Sequence, residues 1–526
     1  MSQLGTRIDE EQQDISTLPR DRTVSLRLTI LLIGLVLAAT LVLPGATVTT
    51  KYVNDLFIFL DGAYRITTGQ VPNVNFHTSL GPLAFYLPAF GLRMTGRMAS
   101  AMPVGMALVV LVLAVISAEV VASRMRQVVA LPLALFLLLG VAAPANTGEG
   151  VGELSFAMFY NRVGWAALGL LLVMYLPRRD SKRQDLADAI CATALVLLML
   201  YLKITYGLAE LAFLVFMLSD RRQWRWAAIS LGLIVISVCI IESFWGGSLS
   251  HLQDLRLASD VSGGVPNLRS LVDVVLRNLP DVAVYAIFIA VLLLLRRNVR
   301  DTAFVGFCAA GGVLIIEQNF QTLGIVTLGA SAAVITELVF LSRTPTAEAG
   351  HGRGLPLLLA VLLLPPTATN ATNLSIHAFY SFSEKGEEVP LPAFKDIRLV
   401  PMWSQNQYDV FRRYNASLED GARALTSLEG PERVAVLDFV NPFSAGMTLP
   451  PPAGDSAWYH WGRTLNREHH PEAEEYFADV DLILDPKAPI EAWTANGMRD
   501  IYSSYILEHF ELATETGYWR IYRRGS

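Results

Sequence analysis

The sequence predicts an α-helical polytopic membrane protein of about eleven transmembrane helices with a small extracytoplasmic α/β domain at its C-terminus. Three observations carry this. A mean hydropathy of +0.42 with only 17% charged residues over 526 residues belongs to the membrane class. The charged residues crowd into the first 27 positions, into short clusters between apolar runs, and into everything after about residue 380. The arginines and lysines between runs recur in every second loop, as they do when a chain weaves across a bilayer.

Crossing the hydrocarbon takes about 17–25 apolar residues, and open-ended segments must be helical so that every backbone group is bonded internally. Eleven runs qualify: 25–46, 100–122, 127–144, 160–177, 185–203, 206–219, 225–244, 280–295, 301–317, 321–343 and 354–370. The first follows a polar stretch with Arg7, Arg20, Arg22 and Arg27 and exceeds a signal-peptide core, which makes it an uncleaved anchor and residues 1–24 a cytoplasmic segment. The basic groups Arg124/Arg126, Arg178/Arg179/Lys182/Arg183, Arg221/Arg222/Arg225, Arg296/Arg297/Arg300 and Arg343/Arg353 then fall on the same side as the N-terminus. With an odd number of spans the tail lies on the opposite side. Residues 81–96 are apolar too, but counting them would move Arg124 and Arg126 outside. They are expected to lie in the outer interface, with Arg93 and Arg97 at the headgroups. Twelve or thirteen spans is the alternative. The division is thus a membrane domain over 25–370 with an outer loop at 47–99, then a domain over 371–526.

The net charge of -6 comes without any basic block, which argues against a nucleic-acid partner. Cys191, Cys239 and Cys308 all sit within apolar runs, so neither a disulfide framework nor a metal-ligand spacing is available.

The long outer loop opens with Asn54 or Asp55 as the cap of a helix reaching about Thr68 and ending at Gly69. Leu56, Phe59, Leu60, Ala63 and Ile66 share one face, the pattern of an amphipathic interfacial helix. Further polar residues stand at the outer ends of runs: Glu149, Glu153, Tyr160-Asn161-Arg162, Lys203, Glu242, Arg277 and Glu317-Gln318-Asn319. Ionisable groups near bilayer depth line cavities or pair with one another. Their common side predicts a single cavity.

The spacing of Asp55, Gly69, Pro72 and Pro82-Leu83 resembles the GT-C glycosyltransferases, among them protein O-mannosyltransferases and lipid A aminoarabinose transferases. That resemblance implies an enzyme that moves a sugar from a polyprenyl phosphate carrier to a glycan, lipid or protein acceptor at the outer face, with inversion. Asp55 stands where the family has its catalytic acid, followed by Leu56 where many relatives have a second carboxylate. As general base it would take the proton of the acceptor hydroxyl; Asp61 is the alternative, and helix capping the competing role. Lys203 and Arg162 suit the phosphate charge that develops as the carrier bond breaks, against interfacial snorkelling; Arg65, Arg93 and Arg277 are weaker candidates. Tyr64, His77, Tyr160, Asn161, Gln318 and Asn319 are possible sugar or acceptor contacts, with no spacing that orders them. Glu317 reads better as a structural partner, and His469-His470 lacks metal-ligand spacing. No cofactor and no metal are expected. The rival functions are a lipid-linked sugar flippase, for which no internal repeat is found, and a polysaccharide polymerase or ligase using 245–280. Compact helix connections favour a bacterial inner membrane.

In the tail, 433–439 and 480–485 read as buried strands, 509–524 as a hairpin, and 408–428 and 492–507 as helices. No Gly-rich phosphate loop follows either strand. The domain is expected to cover the cavity or hold the acceptor.

Overall fold

A computed structural model describes residues 20–179, 185–263, 267–319, 321–341, 354–402, 405–428, 430 and 432–525. The first half runs α1 (Arg20–Val42), β1 (Thr47–Thr49), α2 (Val53–Thr67), α3 (Leu83–Thr95), α4 (Met98–Val120), α5 (Gln127–Ala142), α6 (Phe159–Val173), α7 (Asp185–Leu202) and α8 (Ile204–Met217). It continues with α9 (Trp224–Trp245), α10 (Ser248–Ser262), α11 (Leu268–Arg277), α12 (Leu279–Leu295), α13 (Val299–Gln318), α14 (Val326–Leu341) and α15 (Leu355–Phe382).

Each of the eleven apolar runs carries a helix, but they are not equal. By length and composition α1, α4, α7, α9, α13 and α15 can each cross a membrane, and α11 with α12 would add a seventh crossing as one pair bent by 85°. The apolar helices α5, α6, α8 and α14 are shorter, at 14 to 16 residues.

One end of the bundle is closed by a ring of ion pairs. Arg124, whose side chain is fully buried, meets Asp188 at 2.6 Å; Arg178 bridges Asp188 at 2.9 Å and Glu119 at 2.6 Å; and Arg27 adds to Glu119 at 3.1 Å. Arg179 meets Glu337 at 2.5 Å, and Arg300 meets Asp220 at 2.8 Å. The basic groups between runs thus gather at a single end. Residues 1–19, Lys182, Arg183, Arg343 and Arg353 lie outside the described residues.

The tail comprises β2 (Glu387–Glu388), a 3-10 turn (Pro392–Phe394), β3 (Ile397–Leu399), α16 (Gln405–Ser427), β4 (Val434–Val436), α17 (Phe443–Met447), α18 (Ala473–Tyr476), β5 (Leu482–Pro486), α19 (Ala492–His509), β6 (Phe510–Glu515) and β7 (Trp519–Arg524). One sheet has the order β4-β5-β7-β6, with β4 and β5 parallel and β6–β7 an antiparallel hairpin. The second sheet has the order β1-β3-β2: β1, from the first loop, pairs in parallel with β3, Thr47 opposite Ile397. The tail therefore shares a sheet with the bundle's first connection.

That sharing alters two expectations. The stripe of Leu56, Phe59, Leu60, Ala63 and Ile66 on α2 is buried, but so are Phe57 and Ile58. Phe57 stacks on Phe394 of the tail at 4.9 Å, so α2 is an interior helix between bundle and tail rather than an amphipathic helix at an interface. Its N-cap is Tyr52, at φ 55°, without a side-chain hydrogen bond. Asp55 lies in the first turn instead of capping it. The helix α3 packs against α4 so closely that a Cβ on Gly91 would lie 2.2 Å from the Ala101 carbonyl oxygen. Arg97 reaches Asp396 of the tail at 2.6 Å.

Candidate functional site

At the end opposite the arginine ring, three polar side chains from separate elements converge under the tail. Asp55 sits in the first turn of α2, where the helix dipole favours a carboxylate. It accepts no hydrogen bond from the described residues, and burial pushes its carboxyl up to about 7 against the pull of Arg463, a tail residue. Tyr160, in the first turn of α6, lies within electrostatic reach of both Asp55 and Arg463. Across the Tyr160 ring stands Lys203, its ammonium 5.1 Å from the centroid. Lys203 occupies the turn between α7 and α8, has no carboxylate partner among the described residues, and is lowered by burial to about 8.

Close backbone packing fixes Lys203. Gly81 donates its N–H to the Leu202 carbonyl at 3.2 Å, and a Cβ on Gly81 would lie 2.1 Å from the Tyr201 carbonyl oxygen. Because the obstacle is backbone, Gly81→Val is expected to displace this turn at a cost of about 1–3 kcal/mol. A lowered thermal midpoint checks it; an unchanged midpoint would rule out the proposed rigidity.

An apolar groove of about 520 Å³ lies between α3, α4, α7 and α9, with Leu83, Val112, Leu198 and Ile240 on its walls and Tyr201 and Trp245 also lining it. Trp245 packs 5.8 Å from Tyr201 and 6.2 Å from His251 of α10, and its indole N–H donates to the Pro72 carbonyl at 2.9 Å. His251 in turn feels the charge of Lys203. The groove thus adjoins the lysine.

The tail is latched over this region. Arg65 binds Asp61 at 2.6 Å and forks onto Asp455 at 2.7 and 2.8 Å. Gly454 and Ala457 donate their N–H groups to the Asn75 and His77 carbonyls, and His77 donates its own to Asp455. On the bundle side, Asp254 of α10 meets the His77 ring at 2.9 Å, the Asn73 amide at 2.8 Å and the Thr78 N–H at 3.0 Å. The hydrogen bond to Asp254, outweighing partial burial, raises the His77 pKa.

The remaining predicted residues are dispersed. Asp61 is committed to Arg65, with Tyr64 nearby. Asn161 is buried beside Tyr160 with its amide oxygen unpartnered. Arg162 faces a separate cavity and donates to the Ala145 carbonyl at 3.2 Å. Gln318 is exposed at the end of α13, and Asn319 bonds the Ile315 carbonyl. Glu149 and Glu153 pair with Lys51, Arg277 with Asp273, Glu317 with Ser270, and Glu242 with Ser248. The single expected cavity is replaced by a groove and a separate cavity. Among the described residues no group of three or more His, Cys, Asp or Glu side chains gathers as a metal site.

No family model matches the chain, and no curated protein matches it. Among solved structures it is similar to the single-particle cryo-EM structure of the arabinofuranosyltransferase AftD from Mycobacteria, at 13% identity and a TM-score of 0.42, over 97% of this chain. The chain spans 40% of that protein's length.

Sequence reasoning missed Arg463, His251 and Asp254. The aromatic run Trp458-Tyr459-His460-Trp461 shortly before Arg463 is a weak signal for the first, since aromatics also flank arginines at Phe411–Tyr414 and Tyr518–Arg524.

Proposed function

We propose that this protein is a membrane glycosyltransferase that moves a sugar from a polyprenyl phosphate carrier to an acceptor hydroxyl at the outer, periplasmic face of a bacterial inner membrane. The observation that carries this reading is that a carboxylate without a hydrogen bond, Asp55, and an ammonium without a carboxylate partner, Lys203, both lie near Tyr160, with an apolar groove alongside.

The groove suits the prenyl chain, and Lys203 suits the phosphate at its head. The Thr205 hydroxyl, buried without a partner in the first turn of α8, is a further donor near that head. Asp55 takes the proton from the acceptor hydroxyl as the oxygen attacks the anomeric carbon. The bond from that carbon to the phosphate oxygen breaks, and its electron pair stays on the phosphate, facing Lys203. A single displacement of this kind inverts the anomeric centre and needs one base. The tail closes the site from above and brings Arg463 toward the reacting groups.

The test is donor consumption by the purified chain in lipid nanodiscs, with labelled polyprenyl phosphate sugar, across pH. A base acts when deprotonated and a phosphate-binding lysine when protonated. Turnover should therefore rise with pH through about 7, as Asp55 ionises, and fall through about 8, as Lys203 loses its proton. The two limbs belong to two groups shifted chiefly by burial. A profile flat through both values would overturn the assignment, and donor crossing the bilayer unconsumed would favour a flippase.

A further inference from the structure

The cavity beside Arg162 lies apart from the groove and from the Asp55–Lys203 pair. It has a volume of about 330 Å³ and sits between α5, α6, α12, α14 and α15, with Leu137, Trp165, Ile325 and Leu363 on its walls. Arg162 is 3% exposed. Its Nη1 donates to the Ala145 carbonyl, while Nε and Nη2 are buried with no partner among the described residues. A guanidinium with two unused donors, taken out of water, is costly unless an anion meets it.

No neighbouring carboxylate hydrogen-bonds Nε or Nη2. Glu149 is the carboxylate within reach of Arg162; one of its oxygens binds Lys51 at 2.7 Å, Lys51 also meets Glu153 at 3.4 Å, and the second Glu149 oxygen is buried without a hydrogen bond. Asp281, the other carboxylate on the wall, exerts no resolved influence on Arg162, nor Arg162 on it. Arg277, also on the wall, is paired with Asp273 at 2.6 Å. Arg162 thus makes no ion pair with a described carboxylate, and its remaining contact is with the Phe156 ring at 5.9 Å.

The apolar lining says what should carry the anion. The cavity follows α15 from Asn370 past Pro366 and Pro365 to Leu362, about two helical turns. Neither proline can donate to the carbonyl four residues before it, which loosens this wall of a helix otherwise long and apolar enough to cross a membrane. A free inorganic anion would use the arginine and leave the apolar depth unfilled.

We propose that this cavity is a second binding site, for a phosphate group attached to an apolar chain. The phosphate accepts from Nε and Nη2 of Arg162, and the chain lies against Leu137, Ile325 and Leu363. Such a site gives the protein places for two lipid phosphates, one beside Lys203 and one beside Arg162.

The experiment is equilibrium binding of farnesyl monophosphate to the full chain in detergent, with farnesol and inorganic phosphate as the other arms. Arg162→Gln, confirmed as folded by size exclusion and by its thermal midpoint, is expected to lose one binding phase, with affinity there lowered about tenfold or more. Arg162→Lys, which keeps the charge, should recover part of it. Lys203→Gln should leave the Arg162 phase in place, so failure of the Lys203 reading and failure of this one are separable. An unchanged stoichiometry and affinity in folded Arg162→Gln would overturn the proposal. So would inorganic phosphate or farnesol competing as well as farnesyl monophosphate, since either would show that anion and chain are not both required.

Discussion

Asp55→Asn is expected to lower turnover by about a hundredfold or more while donor binding persists, because loss of a positioned general base typically removes a factor of this order or larger. The substitution is unusually clean at this position. The carboxylate makes no hydrogen bond to the described residues, and the helix it opens is capped at Tyr52 without help from any side chain. Burial already disfavours its charged form, so a neutral amide should leave the thermal midpoint unchanged or raise it. Steady-state kinetics with the midpoint measured alongside separates the cases. Full turnover in a folded Asp55→Asn enzyme would remove the base from the mechanism. Asp61→Asn makes the contrast, since it disturbs the partner of a buried arginine and should act on stability first.

Asp455→Ala is expected to destabilise the protein by about 3 kcal/mol or more, the usual consequence of stripping one partner from a buried ion pair. Arg65 has no exposed side-chain surface, and the fork onto Asp455 is its longest-range anchor. Without it the 454–457 segment loses its hold on residues 73–77, and Arg463 loses its position near Asp55. Activity measured well below the midpoint should fall as well. Replacing Asp61, Arg65 and Asp455 together by Leu, Met and Leu should recover most of the stability, because no charge is then left buried and unpaired. If the single variant melted with the parent, the latch would be ornamental.

The legible part of this fold was the part written locally. Each of the eleven apolar runs marked a helix, and alternation marked the β6–β7 hairpin, because each is specified by residues a few positions apart; the polar helices α10 and α11, between two runs, carried no such mark. Three-residue strands such as β1 and β3 have too little sequence to announce a pairing across 350 positions, and without that pairing α2 looked like a surface helix. The candidate site divided along the same line. Lys203 stands out by its place between two apolar runs, whereas the helix start alone offers Asp55 as a cap and the base role comes from the GT-C resemblance. Arg162 is paired with Lys203 in the sequence because both stand at outer ends of apolar runs, yet on a helix of 3.6 residues per turn the two-residue step from Tyr160 to Arg162 is about 200°. One side chain turns to Lys203 and the other to the second cavity. Asp55 and Asp61 are separated by about 240° for the same reason, which leaves the first beside Tyr160 and the second bound to Arg65. Arg463 was beyond reach, since its meeting with Asp55 depends on how the whole tail is laid over the bundle.

The latch between Arg65 and Asp455 joins positions 390 residues apart. During synthesis the helix bearing Asp55 leaves the ribosome long before the segment that covers it, and closing so large a loop must wait for the last quarter of the chain to be translocated. Until then Asp55 has no lid and Arg65 no fork. A nascent copy therefore holds α2 without its partner segment, and the shared sheet and the latch form only in polypeptides made nearly to completion.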